Sequence, residues 1–234
     1  MPKKEGIRQL FDNIAPEYDR LNHLLSLDID RTWRSRAVRQ IADVQVPQNI
    51  LDVACGTGDF SIAIARKSAP GSHVTGLDLS EGMLAIGREK IHKAGLSSVI
   101  SLELGDSEDI PYGEGCFDRV SVAFGVRNFE HIDTGLEEMY RVLKKGGKLV
   151  ILELSVPGNR IMQWIYNLYF LKILPVIGGK VSGHRSAYEY LPASVLDFPK
   201  PDAFKTMMER AGFTSVRHKS FTFGICRMFT GLKR

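Results

Sequence analysis

The chain has 234 residues, with 31 basic and 27 acidic side chains for a net charge of +4, and 44% hydrophobic against 25% charged residues. That length supports one large domain with a full core and argues against a second independent one; the composition excludes disordered, collagen-like and disulfide-stapled classes. So small a charge excess does not by itself mark a nucleic-acid binder, and it leaves open only a weak attraction to anionic membrane surfaces.

Residues 5–45 alternate apolar and charged side chains at roughly helical spacing, with a break expected at Pro16. From Asn49 the pattern changes. Ile50, Leu51, Val53 and Ala54 form a short strand that runs into Gly56-Thr57-Gly58, and a helix containing Ile62 to Ala65 follows and stops at Pro70-Gly71. His73 to Leu77 reads as a second strand ending at Asp78. Ser80 is a fitting N-cap, with Glu81 in the first turn, for a helix through Ala94. Val99 to Leu104 is a third strand, ending at Gly105-Asp106, and Phe117 to Phe124 a fourth. Residues 133–144 are helical, Gly146-Gly147 turns the chain, and Lys148 to Leu154 is a fifth strand with a nearly continuous apolar run. Residues 155–200 interrupt this rhythm with an aromatic-rich insertion. A last helix (201–211) and two strands (213–220 and 225–232) complete the sheet. Alternating strands and helices with short connections imply right-handed crossovers, hence a doubly wound α/β fold whose sheet is mostly parallel, with an antiparallel strand near the C-terminus.

Cys55, Cys116 and Cys226 are odd in number, far apart and without zinc-ligand spacing, which points to a reducing interior. The first residues lead into no apolar core of signal-peptide type. The longest apolar stretch, 161–178, is interrupted by Gln163, Asn167, Lys172 and Pro175 and is not read as a membrane span. No cluster of His, Cys and acids suggests a metal, and no nucleophilic triad is recognisable. A cytoplasmic protein is expected, with contact at the inner face of the membrane left open.

The richest signal is Leu51-Asp52-Val53-Ala54-Cys55-Gly56-Thr57-Gly58-Asp59. Glycines after a first strand let the backbone turn sharply and approach a ligand, and Asp78 ends the second strand where an acid can bind ribose hydroxyls. An adenosine-containing ligand is therefore expected. A dinucleotide fits poorly: Ser61 stands where the nicotinamide fingerprint wants a third glycine, and Asp59 would set a negative charge against a pyrophosphate at the helix N-terminus. The pattern Asp52…Gly56-x-Gly58 instead resembles the first motif of class I S-adenosylmethionine methyltransferases, whose ligand is a sulfonium. Taken one at a time, the glycines read equally as a tight turn and Asp106 as a loop aspartate making its own turn, while a capping role for Asp78 is already filled by Ser80.

Longer stretches narrow the resemblance. Tyr18-Asp19-Arg20-Leu21-Asn22-His23-Leu24-Leu25-Ser26 with Asp30-Arg31-Thr32-Trp33, and Arg141-Val142-Leu143-Lys144-Lys145-Gly146-Gly147 continuing through Leu152-Glu153-Leu154-Ser155, closely resemble signatures of the C-methyltransferases of menaquinone and ubiquinone biosynthesis. Phe124-Gly125-Val126-Arg127-Asn128 and Tyr188-Glu189-Tyr190-Leu191-Pro192-Ala193-Ser194 match as well, so the resemblance covers the whole chain in order. Leu21, Asp30, Lys145 and Ala123 depart from the usual pattern; at Ala123 a side-chain hydroxyl contact to the cofactor is lost and a backbone contact survives.

The resemblance implies S-adenosylmethionine as cofactor, contacted by Asp52, Gly56, Thr57, Gly58, Asp78, Met83, Asp106, Ser107 and Ala123. It implies methylation of a ring carbon on a polyprenylated quinol, with demethylmenaquinol first and the benzoquinol of ubiquinone synthesis as close rival. It also implies a single domain: an N-terminal helical cap (1–45), a cofactor-binding core (46–155), a substrate-lid insertion (156–200) and C-terminal helix and strands (201–234). A quinol carbon is a poor nucleophile until a neighbouring hydroxyl loses its proton, so the site needs a base or a cation. Arg127, just past the fourth strand, is the candidate cation, with a structural salt bridge as its alternative. Asn128 and Tyr18 are candidates for holding the ring or closing over the cofactor, with loop-holding and helix packing as theirs. His131 and His184 are read as structural, and Tyr188 and Tyr190 as core or ring contacts. Residues 161–178 read either as a buried helix or as a greasy groove for the prenyl tail that also touches the bilayer. A homodimer, an O- or N-methyltransferase and a non-catalytic cofactor-binding partner of a quinone-synthesis complex stay open.

Overall fold

The computed structural model describes residues 4–26, 28–168 and 185–234, with the side chains of residues 20–25, 161, 165, 167 and 185–189 outside the description. The apolar runs form strands β1 (Asn49–Val53), β2 (His73–Asp78), β3 (Ile100–Leu104), β4 (Phe117–Ala123), β5 (Leu143–Leu154), β6 (Thr214–Phe221) and β7 (Cys226–Leu232). They join in one sheet in the order β3-β2-β1-β4-β5-β7-β6. The first five are mutually parallel, and β7 runs antiparallel to both β5 and β6. The order reverses between β1 and β4, which opens a crevice at their carboxyl ends.

Eight helices are described: α1 (Lys4–Ser26), α2 (Ile29–Ile41), α3 (Asp59–Ala65), α4 (Glu81–Lys93), α5 (Ile132–Val142), α6 (Arg160–Asn167), α7 (Arg185–Asp197) and α8 (Pro201–Arg210). The central strands bury side chains on both faces, which is why β1 and β5 read as nearly continuous apolar runs. On one face, Leu136 and Met139 of α5 and Phe204 and Met208 of α8 pack on Leu51, Val53, Val122 and Ile151. On the other, Trp33, Val38 and Ile41 of α2 and Phe60 and Ile64 of α3 pack on Ile50, Val74, Val150 and Leu152. No described helix is long and apolar enough to cross a membrane, and no group of metal-ligating side chains occurs among the described residues.

Two expectations are corrected. Pro16 does not break the N-terminal helix, although it has no N–H for the carbonyl of Asp12. The helix is held on both sides of the proline by α4. Asp12 Oδ1 accepts from Ser80 Oγ and from the Gly82 N–H at 3.0 Å, and Asp19 pairs with Lys90. Tertiary anchoring outweighs the one lost hydrogen bond. The helix expected over 133–144 ends at Val142, and β5 starts at Leu143 rather than after the glycines. Phe117 pairs with Leu143 and Arg119 with Lys148, so residues 144–147 bulge out of the ladder, with Gly146 at φ +76°. The N-cap at Ser80 is as expected, its hydroxyl accepting from the Met83 N–H.

Asp52 lies inside the fold at the end of β1, almost fully buried. Its two oxygens accept from Ser61 Oγ (2.6 Å) and Ser121 Oγ (2.8 Å). Burial outweighs these bonds and pushes its carboxyl up to about 6. A carboxyl with a raised native pKa holds its proton longer folded than unfolded, so its stabilising share is full at low pH and declines as pH rises towards 6. Asp52→Asn is therefore expected to flatten the stability profile between roughly pH 4 and 6, removing at most about 3 kcal/mol of decline. Urea midpoints across that range check this; parallel profiles for the two proteins contradict it.

Candidate active site

Three loops at the carboxyl edge converge on one cleft. After β1 the chain bends through Ala54 (φ +52°), Gly56 (φ +56°) and Gly58 (φ +77°), a succession of left-handed residues that glycine adopts without penalty. After β2 come Asp78, Leu79 and Ser80, and after β3 Gly105, Asp106 and Ser107. The fourth wall is Ala123, Phe124 and Gly125 after β4, with Asn128 beyond. The space between these walls, counted with the solvent at its open mouth, is about 730 Å³.

Asp78 joins two of these loops. Its Oδ2 accepts the Gly56 N–H at 2.7 Å and its Oδ1 the Ser80 N–H at 2.9 Å. Burial raises its carboxyl above the ordinary range, partly offset by those bonds. Asp106 accepts the Glu108 N–H at 2.9 Å, closing its own turn, and pairs with Lys4. The roof is α1, which contributes Ile7, Arg8, Phe11 and Tyr18. Its lower end is latched by Asp19, which accepts from Thr57 Oγ1 and pairs with Lys90; Lys90 also holds Asp59.

Of the residues predicted for the cofactor, Gly56, Asp78, Met83, Asp106, Ser107 and Ala123 line the cleft, as do Tyr18 and Asn128. Asp52, Thr57 and Gly58 do not. Asp52 sits beneath the glycine loop, Thr57 is taken up by the Asp19–Lys90 latch, and Gly58 forms the N-terminal end of α3. Arg127 also lies behind the wall, 6% exposed. Its Nη1 donates to the Phe124 carbonyl (2.5 Å) and to Glu153 Oε1 (2.6 Å), while Glu153 Oε2 accepts the Arg127 N–H at 3.2 Å. Burial alone would lower the guanidinium; the Glu153 carboxylate outweighs it, and the net shift is upward, with Tyr18 and Tyr190 also acting on it. Arg127 Nε is buried with no hydrogen-bond partner among the described residues. Tyr190 Oη donates to Asn128 Oδ1 at 3.0 Å, which ties α7 to the cleft wall. His131 is a surface residue against Glu108. His184 and the side chain of Tyr188 fall outside the described residues, as do residues 169–178 of the apolar stretch.

Sequence reasoning named Tyr18 and an N-terminal cap but missed Ile7, Arg8 and Phe11 of the roof and Glu153 of the buried wall. Ile7, Phe11 and Tyr18 recur at helical spacing, so the roof was signalled by periodicity that fixes no docking partner. Glu153 stood inside an apolar strand, where an acid requires a buried partner. Phe124 lines the cleft at φ +61°, flanked by Trp33 and Arg34 of α2, and nothing local in the sequence marks that strain.

Residues 1–233 match the ubiE/COQ5 methyltransferase family. The chain is 46% identical over 231 residues to the demethylmenaquinone methyltransferase of Bacteroides fragilis, covering 99% of this chain and 94% of that one. It is 47% identical to the ubiquinone/menaquinone biosynthesis C-methyltransferase UbiE of Geobacter sulfurreducens, covering 99% and 90%. Among solved structures, an SAM-dependent methyltransferase of Thermotoga maritima shares the fold with a TM-score of 0.68 at 18% identity over 97% of this chain and 100% of that one. The [4+2]-cyclase SpnF shares it with a TM-score of 0.73 at 16% identity over 99% and 96%, so the fold alone does not fix a reaction. The family match spans essentially the whole sequence in order, and the chain belongs to the ubiE/COQ5 methyltransferase family.

Proposed function

We propose that this protein transfers the methyl group of S-adenosylmethionine to a ring carbon of a polyprenylated quinol, demethylmenaquinol before any other. The observation that carries the reading is the 46% identity to a demethylmenaquinone methyltransferase along 99% of the chain, which extends through every loop of the cleft. The second reading, methylation of the ubiquinone-pathway benzoquinol, has the Geobacter relative's name in its favour.

The residues present suit the cofactor. Asp78 and Asp106 are acceptors for ribose hydroxyls and an adenine amino group, Met83 and Phe124 offer apolar walls, and Asp59 is occupied by Lys90. Asp52, Thr57 and Gly58 support this site from behind by fixing the glycine loop. When bound, S-adenosylmethionine supplies an electrophilic methyl carbon on a sulfonium. Residues 1–45 serve as a helical cap, 46–155 as the cofactor-binding core, 156–200 as the substrate side and 201–234 as the strands and helix that complete the sheet.

Methyl transfer is an in-line displacement, so aligning donor and acceptor supplies much of the rate. The chain must also draw a proton from the quinol. Arg127 is held by Glu153 and Phe124 behind the cleft wall, and its positive charge lowers the pKa of a hydroxyl at the inner end of the cleft across that wall or through water, the proton leaving to solvent. Asn128, fixed by Tyr190, holds a ring oxygen, and Tyr18 closes the roof.

Incubation with labelled S-adenosylmethionine and both chemically reduced quinols, side by side, tests the substrate. Label in menaquinol is expected; label in neither, with cofactor binding intact, contradicts the reading. Arg127→Lys keeps the charge but, with a shorter reach, loses the Nη1 that donates to both the Phe124 carbonyl and Glu153. We expect kcat to fall by about 10²-fold and the pH profile to move to higher pH. Normal turnover with an unmoved profile would remove Arg127 from the mechanism.

A further inference from the structure

We propose that the turn between β6 and β7, together with the outward face of α6, docks on the anionic face of a lipid bilayer. The turn Thr222–Gly224 holds Thr222 at φ +45° and Phe223 at φ +55°, and Phe223 is 77% exposed. A β-branched residue and a large aromatic in the left-handed region are costly, and the cost here is spent on pointing a ring at solvent. Trp33 Nε1 secures the turn by donating to Thr222 Oγ1 at 2.9 Å.

The location is specific. Cys226 pairs with Leu154, so the turn sits at the carboxyl edge of the sheet, the same edge as the cleft. A Cβ on Gly224 would be 3.5 Å from the Cα of Pro157, so the turn backs onto the segment that leads into α6. Along α6 and the residue that follows it, exposed Arg160, Trp164 and Leu168 recur four apart, with Tyr166 buried opposite; Trp164 is 67% exposed. Trp164 and Leu168 thus place two large apolar side chains outward, beside Arg160. Ile29, at the start of α2, is exposed on the same edge.

Charge selects the partner. Residues 155–168 and 211–234 contain no aspartate or glutamate, while Arg160, Arg217 and Lys219 are exposed there. Acids on neighbouring segments include Asp28, paired with Arg31, and Asp202, beside His218. The rings themselves stand on acid-free segments carrying arginine and lysine, which matches the headgroup region of an anionic membrane, where Trp and Phe seat at the boundary and cations meet phosphate. The purpose of this surface rests on the quinol reading, because a polyprenylated acceptor resides in the bilayer; its position rests on the exposed rings alone.

The chain has two tryptophans, Trp33 buried at 5% and Trp164 exposed, so Trp164 reports on docking. The expected result with vesicles of phosphatidylcholine and phosphatidylglycerol is co-sedimentation and a blue shift of emission that Trp164→Phe abolishes. Vesicles of phosphatidylcholine alone should bind less. Phe223→Ser, with an unchanged melting midpoint, is expected to weaken partitioning by roughly tenfold while leaving turnover on a detergent-dispersed short-prenyl quinol unchanged. Wild type that does not sediment with the mixed vesicles, or Phe223→Ser that binds them equally, overturns the docking surface. So does a dimer in sedimentation velocity that Phe223→Ser dissolves, since a second copy would then be the occupant. Absence of turnover by both proteins on the dispersed quinol would fault the substrate reading and leave the docking result standing.

Discussion

The cleft depends on one carboxylate. Asp78 ends β2 and takes the Gly56 and Ser80 N–H groups on its two oxygens, so the loop after β1 and the start of α4 are fixed to a single side chain. Each loop would otherwise leave a backbone donor without a partner at a partly buried position, at a cost of about 1–3 kcal/mol apiece. Parallel strands place their connections far from one another along the chain; a residue that accepts from two of them converts separate turns into one wall.

A second tier of charges holds the roof over that wall. Asp12 is bound at the first turn of α4, and Asp19 shares Lys90 with Asp59. Such half-buried networks gain more from mutual positioning than isolated surface pairs do. A third tier lies deeper, where the Arg127–Glu153 pair is closed off from solvent behind β4 and β5. Removing one partner from such a pair strands a buried charge, so the pair is costly to break even where its net contribution to stability is small. Tyr18 of the roof lies near enough to add to the upward shift of Arg127 in the inner wall.

The sheet was legible because its signals are local. Apolar runs bounded by Gly-Thr-Gly, Pro-Gly and Gly-Gly gave five strands to within a few residues, and Ser80 marked its helix through a side chain that caps three residues ahead. Pro16 misled because propensity weighs one hydrogen bond, whereas Asp12 and Asp19 anchor the helix from elsewhere in the fold. The 144–147 bulge was read as a turn, since glycine pairs signal both and only strand pairing separates them. At the site, the residues at strand ends (Gly56, Asp78, Asp106, Ala123) were predictable from topology. Thr57 was named as a cofactor contact and Arg127 as a candidate cation with a structural salt bridge as its alternative; the structure pairs them with Asp19 and Lys90 and with Glu153. Those partners are 38 and 26 residues away in sequence for Asp19 and Glu153, a range over which spacing carries no information.

The central claim is that Asp78 organises the cofactor cleft, and equilibrium titration of S-adenosylmethionine into wild type and Asp78→Ala tests it most directly. The account predicts a loss of affinity of about ten- to a hundredfold, as two backbone donors are freed and the loops they hold come apart, in a protein whose far-ultraviolet spectrum is unchanged. Equal affinity in the two proteins would contradict it.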